Sequence, residues 1–115
     1  MYKSVPISSL SGMEFVPQAI VKQPLSYFAD KLQLRVARGH DDLDVYDAAA
    51  VQLDEKLIVE LKHYHNGYPP GTTTIYFPFE IRDIALITNL LVYVSNQLGI
   101  ESDWIAWQRA DNPEL

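Results

Sequence analysis

The residues of this chain that come closest to a catalytic pattern are two carboxylates and a lysine. Asp47 is followed, after twelve intervening residues, by Glu60-Leu61-Lys62. Carboxylates brought together at the end of a hairpin can hold Mg²⁺, a hard cation that takes one or two of them and keeps several waters. Lys62 lies two residues beyond Glu60, hence on the same face of a strand, where an ammonium can orient water or neutralise charge on a phosphate. His63 and His65 also share a strand face, and with His40 or an aspartate of the 41 to 44 cluster they form a candidate transition-metal pinch. Asp41, Asp42 and Asp44 form an acidic cluster suited to a basic partner. Tyr64, Tyr68 and Tyr76 surround a Pro-rich loop, and aromatics of this kind are enriched in binding surfaces. Other chemistries are missing: there are no cysteines, so thiol nucleophiles and cysteine zinc clusters are excluded, and neither a G-x-S-x-G elbow nor a phosphate-cradling glycine pattern occurs.

The segment DAAAVQLDEKLIVELK, residues 47 to 62, resembles the core motif of the PD-(D/E)xK nuclease superfamily. Members of that superfamily place a metal-binding Asp on one strand and an acidic-x-Lys triplet on the next, within an αβββαβ core. On that resemblance Asp47 and Glu60 would be Mg²⁺ ligands, Lys62 the catalytic lysine, and nucleic-acid phosphodiesters the substrate.

The elements that must position these residues follow from periodicity. Residues 1 to 13, with Pro6, serines at 8, 9 and 11 and Gly12, read as an irregular or strand-like arm. Partial helical spacing from Glu14 to Leu32 predicts a helix broken or restarted at Pro24, which suits the first helical turn. Leu32, Leu34 and Val36 alternate with polar neighbours as a half-buried strand ended by Gly39-His40-Asp41-Asp42. Val45 to Leu53 and Lys56 to His65 read as two central strands joined by a tight Asp54-Glu55 hairpin. Residues 66 to 71, Asn-Gly-Tyr-Pro-Pro-Gly, form a loop, and Thr73 to Phe77 a fourth strand closed by Pro78. Asp83 is placed to cap a helix that runs to Leu98 and stops at Gly99. Its stripe of Ile84, Ile87, Leu91, Val94 and Leu98, widened by Leu86, Leu90, Val92 and Tyr93, predicts cover on more than one side. Residues 104 to 109 supply a last strand, with Trp104 and Trp107 on opposite faces, and a polar tail follows from Asp111.

With 115 residues, 48% of them hydrophobic and 21% charged, the chain is expected to fold as a single domain, residues 1 to 115. The fold class expected is α+β: a largely antiparallel four- to five-stranded sheet, a long apolar C-terminal helix packed across it and a broken N-terminal helix. The net charge of -6 is unevenly spread. Lys3, Lys22, Lys31, Arg35 and Arg38 outnumber Glu14 and Asp30 in the first third, and the remainder is strongly acidic. An acidic surface repels phosphate, which disfavours non-specific nucleic-acid binding. The opening residues lack the apolar core of a signal peptide, and no run reaches membrane-spanning length, so a cytoplasmic protein with no membrane partner is expected. The functional expectation is a small interaction module without a cofactor. It would be homodimeric through the apolar helix or an aromatic edge, and would bind a basic protein partner much as inhibitor or immunity proteins do, using Asp41, Asp42, Asp44, Tyr64, Tyr68 and Tyr76. The alternative is the Mg²⁺-dependent nuclease using Asp47, Glu60 and Lys62, the one reading in which nucleic acid is the partner.

Overall fold

Turn and cap residues divide the described part of the chain into seven strands and two α-helices, with three short 3-10 turns. The computed structural model describes residues 2–67 and 69–111, so Tyr68 and the end of the tail lie outside the described residues. The strands are β1 (Lys3–Val5), β2 (Phe15–Val21), β3 (Ala37–His40), β4 (Val45–Gln52), β5 (Ile58–Tyr64), β6 (Thr73–Pro78) and β7 (Ile105–Gln108). The helices are α1 (Leu25–Leu32) and α2 (Ile84–Leu98). The fold is α+β and every strand pair is antiparallel. Strand order is β1-β4-β5-β6-β2-β7, with β3 pairing β4 beside β1. No helix among the described residues is long and apolar enough to cross a membrane.

The sheet has seven strands rather than four or five, and the added strands come from places where the sequence pattern is ambiguous. Residues 15–21, expected to open a broken helix, form β2, the strand between β6 and β7. Pro17 explains the difference. A proline inside a helix removes a backbone hydrogen bond and clashes with the preceding turn, whereas here it sits where the β2–β6 register slips between Pro17 and Ala19, a bulge that a strand tolerates. The bulge residue Gln18 is buried, and its Oε1 has no hydrogen-bond partner among the described residues. The helix begins only after Pro24, which occupies its N-cap.

The strand expected at residues 32 to 36 is also displaced. Leu32 ends α1, Gln33 takes a left-handed conformation at φ 56° to cap it, and the Leu34 amide returns to the Ala29 carbonyl at 3.1 Å. Helix termination consumes these residues, so β3 starts at Ala37. The hairpin between β4 and β5 is wider than two residues. The Leu53 amide bonds to the Leu57 carbonyl, and Asp54 accepts from the amides of Lys56 and Leu57, both at 2.8 Å. Leu53 and Leu57 both reach the core, which a tighter turn would prevent.

α2 follows its sequence signals. Asp83 accepts from the amide of Ala85 at 2.9 Å, Gly99 takes φ 71°, and the Ile100 amide closes on Ser95 at 2.8 Å. Ile87, Leu91, Val94 and Leu98 are buried against sheet residues including Val51, Val59, Leu61, Ile75 and Phe77. Ile84, expected in the buried stripe, is 39% exposed, and Leu86 and Val92 are also left uncovered at 46% and 59%.

Candidate functional site

Cross-strand register decides which side chains meet. Directly paired residues in an antiparallel ladder share a face, and alternate residues along a strand point to opposite faces. In β4–β5, Ala49 pairs Leu61 and Val51 pairs Val59, and all four lie in the core with the two helices. Asp47 pairs His63 on that same helix-side face. Ala48 pairs Lys62 and Ala50 pairs Glu60, so Glu60 and Lys62 project from the other face. The register thus brings Glu60 and Lys62 together and places Asp47 on the opposite side of the sheet from both. The segment that resembles the nuclease motif fits two adjacent strands, but its two carboxylates do not share a site.

Asp47 instead anchors the end of β3 to the end of β5. Arg38 Nε donates to Oδ1 at 3.0 Å, and His65 Nε2 lies 3.1 Å from Oδ2. The Arg38 hydrogen bond is the main cause holding the Asp47 carboxyl below its ordinary range, with His65 adding to it. His63 directs Nδ1 to the Thr72 carbonyl at 2.7 Å, and its ring centre is 6.3 Å from that of His65. Among the described residues no group of three or more His, Asp or Glu converges as a metal site, so His40, His63 and His65 do not close one with an aspartate of the 41 to 44 cluster.

On the open face, Lys62 is enclosed by aromatic rings. Its Nζ stands 4.4 Å from the ring centre of Tyr46, 5.1 Å from Tyr76 and 5.6 Å from Tyr64, inside the distance at which a cation is held by a ring quadrupole. Glu60 Oε2 lies 3.9 Å from the same nitrogen, and both side chains are nearly covered. Three strands build this cage: Tyr46 from β4, Lys62 and Tyr64 from β5, and Tyr76 from β6, cross-paired to Glu60. Gly39 on β3 is paired with Tyr46, and a Cβ there would come 2.8 Å from the far end of the Tyr46 side chain, so glycine leaves the room that this ring position takes. Burial raises the carboxyl pKa of Glu60, with Lys62 opposing the shift. Burial likewise raises Tyr76, and Tyr64 is raised strongly by burial and by its bond to Asp41.

That bond joins the tyrosine cage to the acidic turn. The Tyr64 hydroxyl donates to Asp41 Oδ2 at 2.6 Å, while Oδ1 accepts from the amides of Leu43 and Asp44. Asp44 accepts from the amides of Val45 and Asn66 and from the Asn66 side chain. Hydrogen bonds hold both carboxyls below their ordinary pKa, Tyr64 being the chief partner for Asp41 and the Asn66 amide for Asp44. The turn is therefore a fixed anionic rim, and Asp42 projects from it exposed. Tyr68 lies outside the described residues. Past Tyr76, the open face continues into a hollow of about 450 Å³ lined by Pro17, Ile20, Pro69, Thr74 and Trp107.

Tyr46 and Trp107 belong to this face, and sequence reasoning did not single out Tyr46. Its signal was parity: Tyr46, Ala48 and Ala50 alternate along β4, but which parity faced the helices depended on a register that only pairing supplies. Trp104 sits in a 3-10 turn just before β7, edge-to-face with Tyr27 at 5.6 Å, on the helix side away from Trp107, which pairs with Ile20. The chain matches no family model, no curated protein and no solved structure.

Proposed function

We propose that this chain is a non-enzymatic interaction module that binds a basic protein partner on the open face of its sheet. The observation that carries this reading is the Tyr64–Asp41 hydrogen bond at 2.6 Å, which joins an anionic rim and an aromatic centre into one preorganised surface. Interfaces draw their affinity from a few buried aromatic anchors and their association rate and selectivity from complementary charge around them. Here Tyr76, Trp107 and the adjoining hollow supply the first, and Asp41, Asp42 and Asp44 the second. Glu60 and Lys62 neutralise each other in the middle, so the centre carries no charge that a partner must match. In this reading the module is a homodimer, each copy offering one such face, and no cofactor takes part.

The test is a titration of the isotopically labelled full chain with a panel of short peptides, basic with an aromatic residue, basic without one, and acidic. Amide shifts gathered at the 41 to 44 turn and around Tyr64, Tyr76 and Trp107, strongest for the basic aromatic peptides and weakened by Asp42→Lys, support the proposal. Equal response to acidic peptides, or shifts confined to another surface, would overturn it.

A further inference from the structure

α2 has a composition that its surroundings do not explain. None of the chain's nine Lys and Arg or fifteen Asp and Glu lies between residues 84 and 98. At the chain's charged fraction of 21%, a surface helix of this length would carry about three charges, on the face turned to water. The fully buried stripe of α2 is Ile87, Leu91, Val94 and Leu98, with Leu90 and Tyr93 partly covered beside it, while Ile84, Leu86 and Val92 stay 39%, 46% and 59% exposed among Ala85, Thr88, Asn89 and Asn96. The charges near it are at its ends and in the 3-10 turn Arg109–Asp111, which packs beside it. Asp83 is used as the cap, Arg82 stacks on Phe79 at 4.3 Å, and Glu101 and Asp103 follow the helix. Beside α2 runs a groove of about 560 Å³, with Leu91, Ile100 and Ile105 at its apolar part, Thr88 and Val92 on the helix wall, and Asp111 the one charged residue among its lining. β7 closes that end of the sheet.

We infer that the occupant of this face is a second copy of the chain, related by a two-fold axis that sets α2 against α2 with the adjoining grooves included. This rests on the homodimeric reading above and assigns its surface. Two copies each carrying a net charge of -6 repel, and a two-fold contact brings every charge in the patch against its own kind. The surface able to meet itself at the least such cost is α2, which carries no charge, with Asp111 the one charged residue of the adjoining groove, and homodimer interfaces are the more apolar, charge-depleted kind. A basic partner would instead be drawn to the acidic turn, which lies on the other side of the sheet from α2. A helix of 15 residues is about 22 Å long, so a helix-to-helix contact alone falls short of the roughly 1,000 Å² of a stable interface, and the groove must add to it.

The experiment is light scattering and sedimentation of the full chain from about 5 to about 200 µM, at about 50 and about 500 mM NaCl, with thermal unfolding as a check of fold. The expected result is a concentration-dependent mass of two chains of 13.1 kDa each. Dimerisation should be tighter at high salt, because screening relieves the like-charge repulsion. Val92→Lys and Leu86→Lys, both at exposed positions, should weaken it about tenfold or more while leaving the unfolding curve in place. A dimer unaffected by both substitutions would overturn the α2 surface and leave the homodimeric reading standing. A monomer at every concentration and salt would overturn both, with the peptide titration still deciding partner binding separately.

Discussion

The Lys62 ammonium stands 4.4 Å from the ring centre of Tyr46 and 3.9 Å from the Glu60 carboxylate, so one buried cation satisfies both an aromatic cage and an acid. Glu60 is nevertheless raised above its ordinary value of 4.5, because burial outweighs the lysine. The folded state therefore holds its proton longer than the unfolded state, and the stability this contributes is full below the unfolded pKa and lost as pH rises through the folded one. Glu60→Gln should be more stable than the parent at pH 7, with the difference vanishing below about pH 4. Lys62→Met should cost about 1 to 3 kcal/mol at pH 7 and less in acid, since it leaves the carboxylate without its counter-ion. Chemical unfolding of both variants and the double variant across pH 3 to 8 measures this, and a pH-independent Lys62→Met effect would contradict it.

Tyr64 and Tyr76 are both shifted upward by burial, Tyr64 also by Asp41. In an ultraviolet alkaline titration, part of the signal from the chain's seven tyrosines should appear only above the ordinary range near pH 10. The sign again runs downward with pH: stability present below pH 10 should fall as pH rises beyond it, because the unfolded chain loses these protons first. Asp41→Asn should bring the late fraction of the titration earlier.

Gly39 leaves space for Tyr46, whose ring a Cβ would approach to 2.8 Å. Gly39→Ala should push the ring off β3 at a cost of about 1 kcal/mol, since the far end of a side chain can move where backbone cannot. The change should be visible as altered ring-current shifts at the Lys62 side chain. Unaltered Lys62 resonances would show that the ring does not depend on the glycine.

Because Asp47 and Glu60 project from opposite faces of the β4–β5 ladder, they cannot place oxygens about 2.1 Å from one Mg²⁺. Calorimetry with Mg²⁺ or Mn²⁺ should give no binding that Asp47→Asn or Glu60→Gln abolishes, and plasmid incubated with the protein and either metal should remain intact. Cleavage lost in Lys62→Ala would overturn the non-enzymatic proposal.

Gln18 is buried at the β2 bulge with Oε1 unpartnered among the described residues. A buried polar atom without a partner costs about 1 to 3 kcal/mol. Gln18→Met should therefore raise the midpoint of thermal unfolding, by an amount matching about 1 kcal/mol, and a lowered midpoint would mean that a bound water satisfies the carbonyl.

Much of this molecule was determined locally. Asp83 and Gly99 set the ends of α2 because a cap and a left-handed stop act within one turn. β4, β5 and β6 were legible from runs of apolar residues bounded by turns, and the break between β3 and β4 from Asp41 and Asp42. What sequence left open were matters of long-range pairing. Residues 15–21 carry a pattern compatible with helix or strand, and they became β2 because β6 and β7 offer hydrogen bonds on both sides. Asp47 on one hand and Glu60 and Lys62 on the other do fall on neighbouring strands, yet their side of the sheet depended on a register in which a shift of one residue exchanges the faces. Only the tertiary structure decided that Lys62 would meet Tyr46, Tyr64 and Tyr76 while Asp47 met Arg38 and His65, because a strand's sequence determines which residues share a face and its neighbours determine what that face looks upon.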